Sequence, residues 1–449
     1  MYSSIFRHIL NPFFEGFIKH RKMLDYRKFL DKSQWWTREE LLKVQWTELQ
    51  KLLEHTYANV PYWQDVFKKS GLTPEKIKNY SDFVKLPITL KDDIRASKER
   101  MIAGNYKGKT WTKTTGGSTG VPLELDYTPE SYDWRVAVSK RGYSWAGCED
   151  GMKQAYIWGT AIGEMSRLRQ LKENIHYAIL RQKYFNCFDF TEEKMVSCLE
   201  EINCFKPKII VGYTNPLYNF AQFVGSRTKV KFQPKGIISA AEKLHEFQRE
   251  KIKEVFGASV FNTYGSREFM LIASECEQHQ GLHINIENLF VEVVDERGTP
   301  VKPGEAGDIL ITDLHNYGMP FIRYKIGDMA IASDRECPCG RGLPLFEDVV
   351  GRSLDMIKTP DGRSVPGEFF PHLMKEFKGI NRFQVIQNEL NRLKIKIIKD
   401  DKLFNDADFK FMKNEIIKVM GEGIEIDFDF VDDIPLTKTG KFRVTISNI

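Results

Sequence analysis

Residues 114–122 read TTGGSTGVP, a stretch with three glycines, four hydroxyl side chains and no charge. Glycine loses the most backbone freedom on ordering and offers no side chain to pack, so this stretch is neither a good helix nor a good strand. It is either an exposed linker or a loop that holds an oxyanion with backbone N–H groups and hydroxyls. The flanking runs KTWTK (109–113) and LELDY (123–127) alternate as strands do and favour a hairpin around a binding loop. The absence of a GK[ST] ending disfavours a P-loop NTPase.

The composition of the chain is that of a globular protein with more than one domain. Its 449 residues are 42% hydrophobic and 12% aromatic, which is enough to bury a large core. Lys plus Arg number 66 against 61 Asp plus Glu, and the two signs are interspersed, so the sequence gives no reason to expect a nucleic-acid partner. We see no apolar run of membrane-spanning length and no signal peptide, so the cytoplasm is the expected location.

The N-terminal residues 1–24 mix large apolar side chains with Arg, Lys and His. Such a mixture can lie in a membrane interface, which would make the protein peripheral to the inner face of the membrane. The alternative, which the sequence favours, is a helix that packs its aromatic face on the main domain and is broken at Pro12.

Further along the chain, helical stretches alternate with short apolar runs. A helix is predicted over residues 38–58, and the runs KIIVG (208–212), GIIS (236–239) and SVFN (259–262) are typical of buried strands. Residues 289–312 are predicted to hold two strands, and the alternating and helical runs from residue 382 indicate a separate small unit. The predicted fold is α/β, with a large multi-layered N-terminal domain of sheets and helices (1–351) and a small mobile α+β C-terminal domain (352–449).

Six further motifs are spaced along the chain, two before residues 114–122 and four after them. They are HTYANVPYW (55–63), KLPITLKDDIR (85–95), NTYGSRE (262–268), MPFIRYKIGD (319–328), GRSLDMI (351–357) and PLTKTGKFR (435–443). Together with TTGGSTGVP they resemble the adenylate-forming enzymes, which include acyl-CoA synthetases. Within that superfamily the chain looks most like the phenylacetate–CoA ligase branch and its CapK-type relatives of capsule polysaccharide biosynthesis.

This resemblance implies a ligase mechanism with ATP and Mg²⁺. A carboxylate attacks the α-phosphorus of ATP to give acyl-AMP and pyrophosphate, and a thiol such as CoA then takes the acyl group. Such chemistry depends on positioning and on cations placed where charge develops. By resemblance, Lys441 would reach the forming acyl-phosphate oxygen as a compact point charge, and Glu268 would hold Mg²⁺.

The remaining site residues are likewise implied by the resemblance. Tyr264 would lie against adenine, and Asp328 would accept hydrogen bonds from the ribose hydroxyls, with Arg352 close by. The phosphate loop would comprise Thr115, Gly116, Gly117, Ser118, Thr119 and Gly120. Further residues expected to line the nucleotide and acid sites are Ser239, Ala240, Glu242, Asn262, Thr263 and Gly265.

Two positions depart from the family pattern. Leu354 stands where the family commonly has an Asp or Lys hinge, which weakens the inference of a second, domain-rotated thioesterification step. Gly116 stands where the family usually has Ser, so one hydroxyl donor is lost.

The seven cysteines are an odd number, which does not suggest a disulfide framework. Cys276, His283, Cys337 and Cys339 would make a Cys₃His set typical of structural Zn²⁺, a pattern similar to that of some phenylacetate–CoA ligase relatives, with His279 competing for the His position. The alternative is free cysteines in a tight turn beside a surface His. The scattered cysteines 148, 187, 198 and 204 are expected to be buried apolar residues.

Three functional hypotheses follow. The first is an acid–thiol ligase that forms AMP and passes the acyl group to CoA. The second keeps adenylation but sends the acyl group to a sugar or carrier in capsule or O-antigen assembly. The third is a non-catalytic nucleotide-binding protein. Lys441→Ala separates the first two from the third, because only they require pyrophosphate release.

Overall fold

The structure is a computed structural model. It describes residues 2–115, 123–159, 167–350, 357–365, 367, 369–374, 376–377, 379–434 and 444–449. Several predicted residues lie outside this described part, namely residues 116–120 of the phosphate loop, Arg352, Leu354 and Lys441.

Helices and strands alternate through most of the described chain. The helices are α1 Tyr2–Ile5, α2 Met23–Ser33, α3 Arg38–Asn59, α4 Pro61–Ser70, α5 Tyr80–Phe83, α6 Lys91–Ser97, α7 Pro129–Trp145, α8 Arg167–Leu180, α9 Glu192–Phe205, α10 Thr214–Arg227, α11 Glu246–Phe256, α12 Phe369–Met374 and α13 Asp406–Met420. The strands are β1 Trp111–Thr114, β2 Glu124–Tyr127, β3 Gln154–Trp158, β4 Gln182–Asn186, β5 Ile209–Tyr213, β6 Gly236–Ala240, β7 Val260–Ser266, β8 Met270–Ser274, β9 Leu282–Ile284, β10 Leu289–Val294, β11 Ala306–Asp313, β12 Tyr324–Ala332, β13 Leu345–Val349, β14 Ile357–Lys358, β15 Ser364–Val365, β16 Ile380–Glu389, β17 Arg392–Lys399, β18 Glu425–Phe430 and β19 Thr445–Ser447.

The first of two compact units comprises the described residues of Met1–Lys113, Glu124–Gly151 and Ser259–Arg352. Its strands run in the order β10-β11-β12-β13-β9-β8-β7, and the ladders are antiparallel. Helices α2 and α7 pack with β8 around a cluster of apolar side chains. The buried members of this cluster are Met23, Leu30, Trp134, Ala137, Val138 and Leu271. Six of the predicted site residues lie on strands of this antiparallel sheet, namely Asn262, Thr263, Tyr264 and Gly265 on β7, His283 on β9 and Asp328 on β12.

The second unit comprises the described residues of Thr114–Leu123, Met152–Ala258 and Ser353–Ile449. One part is a parallel sheet in the order β6-β5-β3-β4, and every residue of β5 and β6 is buried. Continuous burial of this kind is what parallel strands require when helices cover both faces. The predicted α/β class is therefore confirmed.

The C-terminal part of the second unit is built on a four-stranded sheet in the order β18-β17-β16-β19. Strands β16 and β17 form an antiparallel hairpin, and β18 and β19 join its two sides in parallel. Helix α13 begins after Asn405, whose side chain accepts a hydrogen bond from the Asp408 backbone N–H. This α+β arrangement follows the sequence expectation, whereas the domain boundary at residue 351 stays a prediction.

Local sequence signals explain where several helices begin and end. Thr37 and Glu40 form a capping box that starts α3, and Pro61 occupies the first turn of α4. Helix α4 ends at Gly71, whose φ of 64° is the left-handed conformation that glycine adopts most readily. The helix predicted over residues 38–58 is confirmed as α3, within one residue at its end.

The N-terminal segment departs from the favoured expectation. After α1 the chain continues in wide π-type turns over Phe6–Leu10 and Phe13–Ile18. Phe13, Phe14 and Phe17 are 54%, 40% and 71% exposed, so the prediction that this segment packs its aromatic face on the main domain is wrong. Among the described helices, none has the length and hydropathy that crossing a bilayer would require.

Candidate functional site

The glycine-rich loop is framed by a hairpin, as the sequence predicts. Strands β1 and β2 pair, and the Thr115 N–H donates to the Leu123 carbonyl at 2.8 Å. The Leu123 N–H donates in turn to Thr115 Oγ1 at 3.3 Å. Thr115 is thus fixed at the last described position before the loop.

Strand β7 carries four of the predicted nucleotide-site residues in sequence, Asn262, Thr263, Tyr264 and Gly265. Its ladder with β8 shifts register between Tyr264 and Gly265. A Cβ added to Gly265 would lie 2.3 Å from the Met270 carbonyl oxygen, so this close approach of two backbones requires glycine. The glycine therefore sets the path of the turn that follows, in which Glu268 lies.

Tyr264 and Asp328 meet across two strands of the first unit. The Tyr264 hydroxyl donates to Asp328 Oδ2 at 2.9 Å, and Asp328 lies on β12. Both side chains are partly exposed. A carboxylate offers about four lone-pair sites, so one such group can accept hydrogen bonds from several donors.

Glu268 is only 6% exposed and its position is fixed at both its side chain and its backbone. The Tyr324 hydroxyl donates to Glu268 Oε1 at 3.3 Å, and an Arg135 Nη1 donates to the Glu268 carbonyl oxygen. Arg135 is itself buried and ion-paired with the fully buried Asp313. A carboxylate oxygen held in a fixed position is a suitable ligand for a hard cation such as Mg²⁺.

The predicted residues of the parallel sheet have other partners. Ser239 Oγ lies 2.6 Å from Thr214 Oγ1 at the carboxyl end of β6. Glu242 Oε2 accepts a hydrogen bond of 2.6 Å from the Asn215 N–H, in the first turn of α10. A carboxylate at a helix N-terminus satisfies an orphan donor and complements the helix dipole, so Glu242 has a clear structural role.

The predicted Cys₃His set comes together in the first unit. The four ligand atoms of Cys276, His283, Cys337 and Cys339 all lie within 4.8 Å of one another. Two separations are shorter, 3.6 Å between the sulfurs of Cys276 and Cys337 and 3.4 Å between Cys339 Sγ and His283 Nε2. Tetrahedral Zn²⁺ with ordinary bond lengths places two sulfurs about 3.7 Å apart and sulfur and nitrogen about 3.6 Å apart. The donor set therefore fits zinc.

Of the two histidines, the geometry favours His283 as the fourth ligand. His279 Nδ1 lies 3.1 Å from Glu275 Oε2, whereas His283 sits on β9 beside Cys339. Burial lowers the pKa of His283 to about 4, which keeps its ring neutral and able to bind a metal. Burial also raises the pKa of the Cys276 thiol, as expected for a thiol whose anion is stabilised only when a cation binds.

The other cysteines are mostly as predicted. Cys148, Cys187 and Cys198 are buried. Cys204 is exposed, so the expectation of burial is wrong for this residue, which lies near the end of α9.

Sequence reasoning missed the residues that support Glu268. Tyr324 lies within the quoted MPFIRYKIGD motif, and Arg135 interrupts the otherwise apolar run WRVAV (134–138). An arginine amid apolar helix residues is a signal for a buried, paired cation, because an unpaired one would be too costly. Asp313, the partner of Arg135, ends β11 and had no comparable signal.

Comparison with known proteins finds similarity to the family expected from the sequence motifs along most of the chain. Residues 357–448 match the family model described as CapK C-terminal domain. The protein named CapK from Staphylococcus aureus is 24% identical over 424 residues, which cover 91% of this chain and 90% of that protein. Phenylacetate–coenzyme A ligase from Thermus thermophilus is 24% identical over 393 residues, covering 85% of this chain and 86% of the ligase.

Solved structures support the fold. A crystal structure of 2-hydroxyisobutyryl-CoA ligase, in complex with 2-HIB-AMP and CoA, matches with a TM-score of 0.59 and 17% identity over 91% of this chain and 90% of that one. The predicted acyl-CoA synthetase-like fold is thereby confirmed. The resemblance to CapK and the phenylacetate–CoA ligases is confirmed as well.

Proposed function

From this kinship with CapK and the phenylacetate–CoA ligases, we propose that the chain adenylates a carboxylic acid with ATP and passes the acyl group to CoA. The observation that carries the proposal is the buried Glu268, whose carboxylate accepts from Tyr324 and whose backbone carbonyl accepts from Arg135. It lies in the turn between two strands of the sheet that also holds the Tyr264–Asp328 pair. One unit thus offers a cation ligand and a diol acceptor, which are the two recognition elements that a Mg²⁺-bound nucleotide needs.

In this proposal each described residue has a distinct task. Glu268 supplies a carboxylate oxygen to Mg²⁺, which neutralises phosphate charge when it is bound. Asp328 accepts hydrogen bonds from the ribose hydroxyls while Tyr264 orients it, and the Tyr264 ring lies against the adenine. Gly265 keeps the turn close to β8.

The remaining tasks fall to residues assigned from sequence. Thr115 and the loop residues 116–120 would hold the phosphates, and Arg352 would lie beside the ribose. Lys441 would place its ammonium on the acyl-phosphate oxygen as negative charge develops there. Ser239 and Ala240 would line the acid site.

A second candidate acceptor is a sugar or a carrier rather than CoA. The match of residues 357–448 to the CapK C-terminal domain favours this alternative, because the C-terminal domain carries Lys441 and shapes the second half-reaction in this class. Adenylation is common to both candidates, and only the acceptor differs.

We also propose that Cys276, His283, Cys337 and Cys339 hold a structural Zn²⁺. Four protein ligands leave no open position for water or substrate, which is the pattern of a structural rather than a catalytic site. The ion would join the segment after β8, strand β9 and the turn that contains CPCG (337–340).

The decisive experiment is acid-dependent ATP–pyrophosphate exchange across a panel of aromatic, aliphatic and amino acids. We expect exchange with one class of acid, and CoA-dependent AMP release with the same acid if CoA is the acceptor. Lys441→Ala should abolish exchange, whereas Lys402→Ala, which alters an exposed lysine of the same C-terminal region, should leave it unchanged. Nucleotide binding without exchange for any acid would contradict adenylation and support a non-catalytic nucleotide-binding protein.

A further inference from the structure

The N-terminal segment of residues 2–18 is amphipathic, but its polar side faces the protein and its apolar side faces outward. Of these residues only Phe6, Asn11 and Glu15 are buried, and two of the three are polar. The exposed side is mainly apolar, and Ser4, His8 and Gly16 are its other members. Its exposed large side chains are Tyr2, Ile5, Ile9, Leu10, Phe13, Phe14, Phe17 and Ile18.

Polar contacts fix this orientation. Asn11 Nδ2 donates to Asp150 Oδ2 at 3.3 Å, and Ser3 Oγ donates to the Gly151 carbonyl at 2.9 Å. Glu15 Oε2 accepts a hydrogen bond of 2.9 Å from Arg21, which also bonds Asp133 at 2.6 Å. The segment is therefore anchored to its own unit through its polar side and cannot turn its phenylalanines inward without breaking these contacts.

The formal charge of this segment and the residues just after it is mainly positive, although Arg7 pairs with the exposed Glu149 and Arg21 pairs with Asp133. Residues 2–22 contain four formal cations, Arg7, Lys19, Arg21 and Lys22, and Glu15 as the only carboxylate. Glu15 is buried and lies within ion-pair distance of both Lys19 and Arg21. His8 and His20 are exposed as well. The surface offered to a partner is therefore apolar with a basic edge.

We infer that this segment docks the protein on an anionic lipid surface, with the phenylalanines inserted at the headgroup boundary and the cations against the lipid phosphates. Large apolar side chains beside Lys and Arg on a segment lying along the surface are what interfacial binding requires. The membrane adds the electrostatic attraction of anionic lipids to the burial of apolar area.

A second copy of the chain suits this surface less well. A two-fold dimer would place the same patch on both sides of the interface, so its cations, chiefly Lys19 and Lys22, would lie at one shared interface. Anionic lipid instead supplies the opposite charge. The inference is independent of the adenylation reaction, since none of these residues belongs to the proposed site.

The test is co-sedimentation of the full-length chain with vesicles of phosphatidylcholine, alone or mixed with phosphatidylglycerol. We expect binding to the mixed vesicles that weakens with added salt, because the electrostatic part is screened. The variant Phe13→Ser/Phe17→Ser should bind roughly tenfold or more weakly, since two exposed rings no longer enter the interface. Lys19→Gln/Lys22→Gln should reduce the preference for the anionic vesicles.

The matched control is Phe247→Ser, which removes a phenylalanine that is 61% exposed in the second unit. It should bind vesicles as the wild type does, and the phenylalanine variants should unfold at the same temperature as the wild type because the altered side chains are exposed. Two outcomes would overturn the inference. One is wild-type protein that stays in the supernatant with both vesicle types, and the other is an oligomer in solution that Phe13→Ser/Phe17→Ser converts to monomer without any effect on vesicle binding.

Discussion

The Tyr324 hydroxyl donates a hydrogen bond of 3.3 Å to Glu268 Oε1. The Tyr324 side chain is fully buried, and its ring packs against Phe269 and Phe321 with centroid separations of 6.0 Å and 5.6 Å. The aromatic packing fixes where the hydroxyl lies, so the hydroxyl in turn fixes one oxygen of the carboxylate. Glu268 is thus oriented before any cation arrives, which lowers the entropic cost of binding one.

We therefore expect Tyr324→Phe to weaken Mg²⁺-dependent activity while the ring packing is retained. Loss of a hydrogen bond to a charged group costs about 1.5–3 kcal/mol, which corresponds to a roughly tenfold or greater increase in the Mg²⁺ concentration needed for half-maximal exchange. Titration of ATP–pyrophosphate exchange with Mg²⁺ measures this. Tyr80→Phe is the matched control, because Tyr80 donates to the buried Glu292 at 3.0 Å outside the proposed site. Equal effects of both variants would argue against a specific role for Tyr324.

Substitution of either member of the Tyr264–Asp328 pair should weaken nucleotide binding. Asp328→Asn replaces an acceptor-only carboxylate with an amide that presents two donors, so it should raise the KM for ATP strongly, by roughly tenfold or more. Tyr264→Phe removes only the orienting hydroxyl and should raise the KM less, with the maximal exchange rate nearly preserved. The measurement is the dependence of exchange on ATP concentration. A fall in the maximal rate at unchanged KM for both variants would contradict a role in ribose binding.

Much of the fold can be predicted from hydrophobic patterning. The runs KIIVG, GIIS and SVFN correspond to β5, β6 and β7, and the segment from residue 382 gives the hairpin, helix and strand expected of it. These elements are predictable because each strand or helix buries one or more complete faces. Burial of a face makes apolar residues recur at a regular spacing in the sequence. The hairpin around the glycine-rich loop is predictable for the same reason.

The residues that hold Glu268 in place are harder to predict from the sequence. Arg135 and Asp313 are 178 residues apart, and only the fold brings them together. In the N-terminal segment the sequence pattern predicts the wrong orientation. Aromatic residues usually pack inward, but here Asn11 and Glu15 occupy inward positions. In that segment tertiary polar contacts decide the orientation against the hydrophobic pattern.

If the Cys₃His cluster binds zinc, the stability of the folded protein should depend on that ion. Cys337→Ser should lose the bound zinc, measured by elemental analysis of the purified protein, and should lower the free energy of unfolding by about 3 kcal/mol or more, because metal binding is coupled to folding. His279→Ala is the control and should retain the metal, since its ring lies by Glu275 rather than by the thiols. Purified wild-type protein without zinc, and with no gain in unfolding temperature on adding zinc, would contradict the site.

The Arg141–Glu287 pair predicts a pH dependence of stability that is separate from catalysis. Both side chains are fully buried, and Arg141 bonds both carboxylate oxygens, with an Nη2–Oε2 distance of 2.9 Å. Burial alone would raise the pKa of Glu287, but attraction to Arg141 and hydrogen bonds from Arg141 and Ser33 outweigh it, so the pKa lies below its usual value. A carboxyl whose pKa is lowered by folding stabilises the folded state above the unfolded pKa of about 4.3 and loses this contribution as the pH falls through the folded value.

The wild type should therefore lose unfolding free energy as the pH falls below about 5, with part of the slope due to Glu287. Arg141→Met alone should cost about 3–5 kcal/mol, because it leaves a buried carboxylate without its counter-charge, whereas Arg141→Met/Glu287→Leu should cost less and have a shallower acid slope. Asp427→Asn removes an exposed partner of Arg392 and should leave stability nearly unchanged, because solvent screens this pair. Urea unfolding at a series of pH values measures all four proteins. If the double variant kept the wild-type slope, the acid sensitivity would have to come from other carboxylates and the pair would not act as a linked proton site.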